Sequence, residues 1–401
     1  MDKITLETAR DLILSHTSPI RSYDVTPLEE LCGRVCAEDV YAPADHPSFS
    51  RSAMDGYAVR AEDIKNASPD SPAVLDIIAT VYAGDHTGKF APCTAVRVMT
   101  GAFIPQGYDT VVMQEDTDEG EERVSIYRSL RAFTNYCHAG EEFHKGDLLI
   151  RKGTLTDRVH IFRAASAGIA AVRTVTPPRI GIIATGSELD LAGTPHIEGH
   201  IYNGLMPMLC ASVQRYGAEC VYCLGCEDDT VDISETIQGV IGDVDMLITT
   251  GGVSVGKRDL MPDVFADLRA KILFHGTDIQ PGTPTMAGVY DGKVILALSG
   301  NPFAAIANLD YYFPYIISRL TGCESLLTEE KTAVLADRYD KVNRLRRFVR
   351  ARFADGMVYL PTDRHFSSVA GNLTECNCYI DIPAETPLNV GSTVNIRIMR
   401  N

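Results

Sequence analysis

The chain has 401 residues, 45% hydrophobic and 22% charged, which is enough for several cores and argues for two to four domains. A formal net charge of −16 excludes the broad basic surface that nucleic-acid binding requires. No apolar run reaches the length of a membrane span, no basic leader precedes an apolar stretch, and the eleven cysteines follow no regular spacing; a reducing cytoplasm is expected.

In chain order, TLETARDLILSHT places Thr5 at a helix cap, Glu7 in the first turn and Leu6, Ala9, Leu12 and Ile13 at helical spacing. PLEELCGRVCAED is expected to begin a second helix at Pro27. From residue 46 to 145 the helical period gives way to short β-like pieces punctuated by Gly, Pro and Asp, so a β-rich domain (46–145) is inserted in a helical one (1–45 and 146–177). TDRVHIFRAASAGIAAVRTV returns to helix, and the paired prolines of TPPR (176–179) end it.

Residues 178–326 alternate strands with helices, the pattern of a parallel sheet covered on both faces. RIGIIAT, CVYCLGC, DMLITT and KVILAL read as strands; NGLMPMLCASVQRYGAE and TVDISETIQGVIGD read as helices. Residues 327–401 hold short strands with turn signals, a small β domain. In it NRLRRFVRARF alternates Arg with apolar residues, as one solvated face of a strand would. In CVYCLGC a two-residue strand period sends Cys220 and Cys226 to one face and Cys223 to the other, so these thiols read as buried strand residues and not as a metal site.

The strand ends of the α/β domain carry the chemistry. Glycine turns at Gly186-Ser187, at Gly251-Gly252 and on through Ser254 and Gly256 let backbone amides approach an anion. Acids follow the same turns: Glu188, then Asp228 beside Asp229, then Asp259. Carboxylates beside a phosphate pocket call for a hard cation between them, and Mg²⁺ is the usual one. Neither a dinucleotide G-x-G-x-x-G nor a Walker motif is present.

HPSFSRSAMDGYAV (46–59), RVMTGAFIPQGYDTVVMQED (97–116), AGEEFHKGDLLIRKGT (139–154), IATGSEL (183–189), TTGGVSVGKRD (249–259), QPGTPTMAG (280–288) and LSGNPFAA (298–305) follow in the order typical of the molybdopterin molybdenumtransferase family, which the chain resembles over nearly its whole length. The family includes the carboxyl-terminal domain of gephyrin. The resemblance implies a cytoplasmic homodimer with a helical and β-rich amino-terminal region. It also implies an α/β domain like that of molybdopterin adenylyltransferases and a carboxyl-terminal β barrel. It implies Mg²⁺-dependent transfer of molybdenum from molybdate to adenylylated molybdopterin with release of AMP, and adenylyltransferase and molybdoenzyme maturation proteins as partners. Carried over by motif, Glu188, Asp228 and Asp259 become catalytic, Asp228, Asp259 and Glu142 metal-binding, and Asp55, Thr100, Pro281, Gly282, Pro284, Gly300 and Asn301 join the glycine turns as ligand contacts.

The chain departs from the family where charge matters. Gln280 and Thr283 replace the lysines of K-P-G-K-P, and Asn203, Gly204 and Leu205 replace D-S-N. Two lost charge-assisted hydrogen bonds, at about 1.5–3 kcal/mol each, would weaken a phosphorylated ligand by roughly two to four decades. Three readings stay open at this level: an active transferase, a non-catalytic pterin-binding or regulatory member, and a metal-dependent phosphohydrolase of another nucleotide ester.

Overall fold

The computed structural model describes residues 3–253, 260–361 and 366–400, and the chain divides into two compact units. One comprises residues 39–151 and 158–172. Its five-stranded sheet runs in the order Thr110–Met113, Gly56–Val59, Thr94–Val98, Ala73–Val81, Arg123–Ile126, over a core that includes Tyr57, Leu75, Val112 and Ile126.

The other unit takes in the amino-terminal segment and everything from residue 173 onward. Helix α1 (Leu6–Ser15) starts where expected, with the Thr5 hydroxyl accepting from the Thr8 amide at 3.1 Å and Leu6, Ala9 and Ile13 buried. The helix expected from Pro27 is instead a single 3₁₀ turn, Leu28–Glu30, none of whose residues is buried. With no apolar face to pack, a Pro start and two acids cannot sustain a longer helix. The helical reading of 156–175 shortens likewise to α2 (Arg158–Ser166), which belongs to the first unit, followed by the strand Ala171–Val175.

The α/β sheet is built from β1 (Arg179–Thr185), β2 (Glu219–Cys226), β3 (Met246–Thr250), β4 (Lys271–His275), β5 (Met286–Tyr290) and β6 (Lys293–Leu298), in the order β2-β1-β3-β6-β5-β4. The first four in that order are parallel and the last two join antiparallel. Both faces are covered, which is why β1, β3 and β6 are apolar almost throughout. Ile180, Ile182 and Ile248 pack with α3 (Leu205–Arg215) and α6 (Pro302–Thr321) on one side. Ile183, Leu247 and Ile295 pack with α4 (Thr230–Val240) and α5 (Met261–Asp267) on the other.

The carboxyl-terminal strands β7 (Glu330–Leu335), β8 (Arg346–Ala354), β9 (Met357–Tyr359), β10 (Cys378–Ile382) and β11 (Thr393–Ile398) close on themselves in the order β8-β9-β7-β11-β10-β8. This is the expected small β barrel, and the short strand Ile279–Gln280 pairs in parallel with β8 at its rim. The arginines of β8 do not form a solvated face. Arg350 is fully buried, and Arg346 is bonded to Asp381 at 2.5 and 2.7 Å and to Glu7 at 2.6 Å. A buried arginine is tolerated where its charged end finds acceptors, and here two carbonyls take the ends of the fork: Arg350 Nη1 donates to Val369 O and Nη2 to Phe366 O.

A candidate active cleft at the strand ends

A cleft of about 1090 Å³ opens at the carboxyl ends of β1, β3 and β6, the position at which open α/β sheets bind ligands. Gly186, Glu188, Asp228, Gly251, Gly252, Pro281, Gly282, Pro284, Gly300 and Asn301 all line it, so ten of the residues singled out in the sequence share one cavity. Asp259, Ser254 and Gly256 lie outside the described residues. Asp55, Thr100 and Glu142 belong to the other compact unit.

Local hydrogen bonding shapes the floor. Gly186 donates its amide to Cys226 O (3.2 Å) and Gly251 to Leu298 O (3.1 Å), while the Thr185 hydroxyl donates to Thr250 O (3.1 Å). Gly251 needs to be glycine: its φ is +91°, and a Cβ there would stand 2.6 Å from Thr185 O. Ser187 is spent on positioning, since its Oγ accepts from the Asp228 amide at 3.3 Å. That bond ties the end of β2 to the turn after β1, and the two acids, Glu188 and Asp228, face one cavity from adjacent strands.

The opposite wall comes from the 280–284 turn. Gly282, at φ +94°, presses on α6 so closely that a Cβ would fall 1.6 Å from Asn308 Nδ2. Asn308 in turn donates to Ala304 O (2.9 Å) and Pro281 O (3.5 Å), holding the turn on the helix. The Thr283 hydroxyl is consumed locally by Ile279 O at 2.5 Å.

Among the described residues, two cations not expected at the site also line the cleft: Lys341, and Arg347 from the strand read as a solvated face. Arg347 lies opposite Gln280 in the strand pairing and donates to Asn343 Oδ1 at 2.9 Å. Their approach depends on the barrel rim meeting the 279–280 strand, a long-range contact that no local motif encodes. Phe366, Ser367 and Ser368 complete this side. Asn203, at the departure from D-S-N, faces the cleft and caps α3, its Oδ1 accepting from Met206 N at 3.1 Å; Leu205 beside it is buried in the wall.

In the other unit, Asp55 Oδ1 accepts the Thr100 amide (2.6 Å) and the Thr100 hydroxyl (2.7 Å). The amide bond, followed by the hydroxyl, holds the Asp55 carboxyl below the usual aspartate range. Glu142 is exposed, on a segment held by its amide to His46 O at 3.0 Å.

Comparison with known proteins gives a consistent picture. The model of the MoeA N-terminal region (domain I and II) matches residues 4–168, that of a probable molybdopterin binding domain 181–318, and that of the MoeA C-terminal region (domain IV) 332–398. A molybdopterin molybdenumtransferase of Staphylococcus epidermidis is 32% identical over 388 residues, covering 96% of this chain and 92% of that protein. One from Staphylococcus aureus is 31% identical over 398 residues, covering 98% and 95%. The crystal structure of a molybdopterin biosynthesis MoeA protein from Pyrococcus horikoshii superposes with a TM-score of 0.84 at 28% identity, over 99% of each chain.

Proposed function

The chain belongs to the molybdopterin molybdenumtransferase family, transferases of molybdenum cofactor biosynthesis, and on that premise we propose that its strand-end cleft holds adenylylated molybdopterin and molybdate and releases AMP. The observation that carries this reading is one cavity lined, among the described residues, by two acids, by glycine turns at three strand ends and by two cations.

The glycine turns accept the phosphates, because backbone near Gly186 and Gly251-Gly252 has no side chain to hold a ligand away. Lys341 and Arg347 supply the positive charge that Gln280 and Thr283 do not, from the barrel side of the same cavity. Glu188 and Asp228 offer hard carboxylate oxygens from adjacent strands, and Mg²⁺ takes one or two carboxylates together with substrate phosphates, so this donor set suits it. When bound, that ion supplies charge neutralisation at the phosphoanhydride. Ser187 keeps Asp228 oriented toward the ligand through the amide bond.

The test is AMP release from adenylylated molybdopterin by the purified chain, with and without molybdate and Mg²⁺. Release that requires both, and that is abolished in Asp228→Asn, is the expected result. Binding of the pterin without release under any of these conditions would mean that the chain has kept the cleft and lost the reaction. We also infer that the working unit is the homodimer that the resemblance implies, which sedimentation of the purified chain would test.

A further inference from the structure

Outside the lining of the cleft, the α3 side of β2 gathers three sulfurs. Cys210 Sγ lies 2.8 Å from Cys223 Sγ and 3.2 Å from Cys220 Sγ, and Cys220 and Cys223 are 3.3 Å apart. Simple strand alternation would put Cys220 and Cys223 on opposite faces. A β-bulge prevents this: Ile180 pairs with Cys220 but Gly181 pairs with Tyr222, so Val221 is an extra residue without a partner on β1. The inserted residue shifts the alternation by one and turns both thiols toward α3, where Cys210 meets them. The expectation that Cys223 faces away from Cys220 is therefore overturned.

We infer that Cys210, Cys220 and Cys223 form a binding site for a thiophilic d¹⁰ cation, Zn²⁺ or Cu⁺, separate from the pterin cleft. The three sulfurs form a nearly equilateral triangle. Metal–thiolate bonds of about 2.3 Å place sulfurs roughly 3.8 Å apart, so each Sγ has to move outward by only about 0.4 Å. Soft sulfur ligands select these ions over Mg²⁺. Among the described residues, no other group of three or more His, Cys, Asp or Glu brings its ligand atoms this close. Cys223 is exposed while Cys210 and Cys220 are half-buried, which gives the ion an entry path and leaves an outer position for water on Zn²⁺.

Binding exchanges three S–H bonds for three metal–sulfur bonds, releases three protons to solvent and changes no oxidation state. Burial pushes the Cys210 thiol up to about 11 and raises that of Cys220 as well. Metal uptake is therefore strongly pH-dependent. A bound ion would cross-link α3 to β2, and α3 begins at Leu205 on the cleft wall.

The experiment uses the full chain, reduced, chelator-stripped and kept anaerobic, titrated separately with Zn²⁺ and Cu⁺ against a chromophoric competitor in the absence of any pterin. One equivalent of at least one ion per chain is expected, with proton release on binding. Cys223→Ser should weaken it at least 100-fold with the circular dichroism spectrum unchanged, whereas Cys376→Ser, in the barrel, should leave it intact. No uptake of either ion by the reduced chain would overturn the inference, as would equal affinity in Cys223→Ser or an equal loss in Cys376→Ser. Thiols that do nothing but form a disulfide when oxidant is added would also overturn it. Because the readout is metal affinity, it stands or falls independently of AMP release.

Discussion

Gln280 and Arg347 stand opposite each other in the parallel pairing that joins the 279–280 strand to the barrel, and both line the cleft. A neutral amide thus occupies a position where the family has lysine, and a guanidinium from the neighbouring strand reaches the same cavity. Charge-assisted bonds to phosphate contribute about 1.5–3 kcal/mol each. Arg347→Ala should therefore raise KM for adenylylated molybdopterin about 10- to 100-fold while changing kcat less. Exposed Lys341 should contribute less, and Lys341→Ala should raise KM by no more than about tenfold. Gln280→Lys placed in the Arg347→Ala background should recover much of the loss, which steady-state kinetics would show.

Gly282 fixes the other edge of the ligand site. Alanine there combines a left-handed backbone with a Cβ placed 1.6 Å from Asn308 Nδ2. Gly282→Ala should lower stability by about 2–4 kcal/mol, a shift of several degrees in Tm. Adding Asn308→Ala removes the clash but not the backbone strain, so the double variant should recover only part of the loss in thermal melts.

Arg350 works as a clamp. Its guanidinium donates to the Phe366 and Val369 carbonyls and lies 3.9 Å over the Phe303 ring, so one side chain holds the 366–369 segment against the first turn of α6. Arg350→Met fills the volume and leaves both carbonyls without this donor. A loss of about 2–4 kcal/mol in urea unfolding is expected, along with weaker pterin binding through displacement of Ser367 and Ser368. Lysine lacks the fork and should rescue little.

Asp310 gives a pH dependence with a definite sign. Desolvation raises its carboxyl to about 6, against the lowering effect of the Tyr379 hydroxyl, which donates to it at 2.6 Å. The folded chain then binds this proton more tightly than the unfolded chain does, so the contribution to stability is full below about pH 4 and is lost as pH rises through 6. The difference is roughly 2–3 kcal/mol. Asp310→Asn should abolish this component of the pH–stability curve, and above pH 7 the variant should unfold at higher urea concentration than the parent chain.

The parts of the site that were legible in the sequence are local. β1, β3 and β6 are buried on both faces, so they read as unbroken apolar runs, and the residues that follow β1 in Gly186-Ser187-Glu188 and end β2 in Cys226-Glu227-Asp228 mark where the strands stop. What escaped depends on contacts far along the chain or on an inserted residue. Nothing around Lys341 or Arg347 signals that the barrel rim meets the 279–280 strand. The reading of Arg350 failed because alternation tells which residues share a face and not whether that face is covered by the 366–369 segment. The thiol triangle escaped because a strict two-residue period has no place for Val221.

The order of the parts along the chain has a consequence for truncated forms. Among the described residues, the cleft's acids and glycine turns are made before residue 302, whereas its two cations come from the barrel side that follows α6. A chain that ends after α6 therefore has the described acids and glycine turns of the cleft but neither Lys341 nor Arg347, the two contacts that the barrel side brings to an anionic ligand.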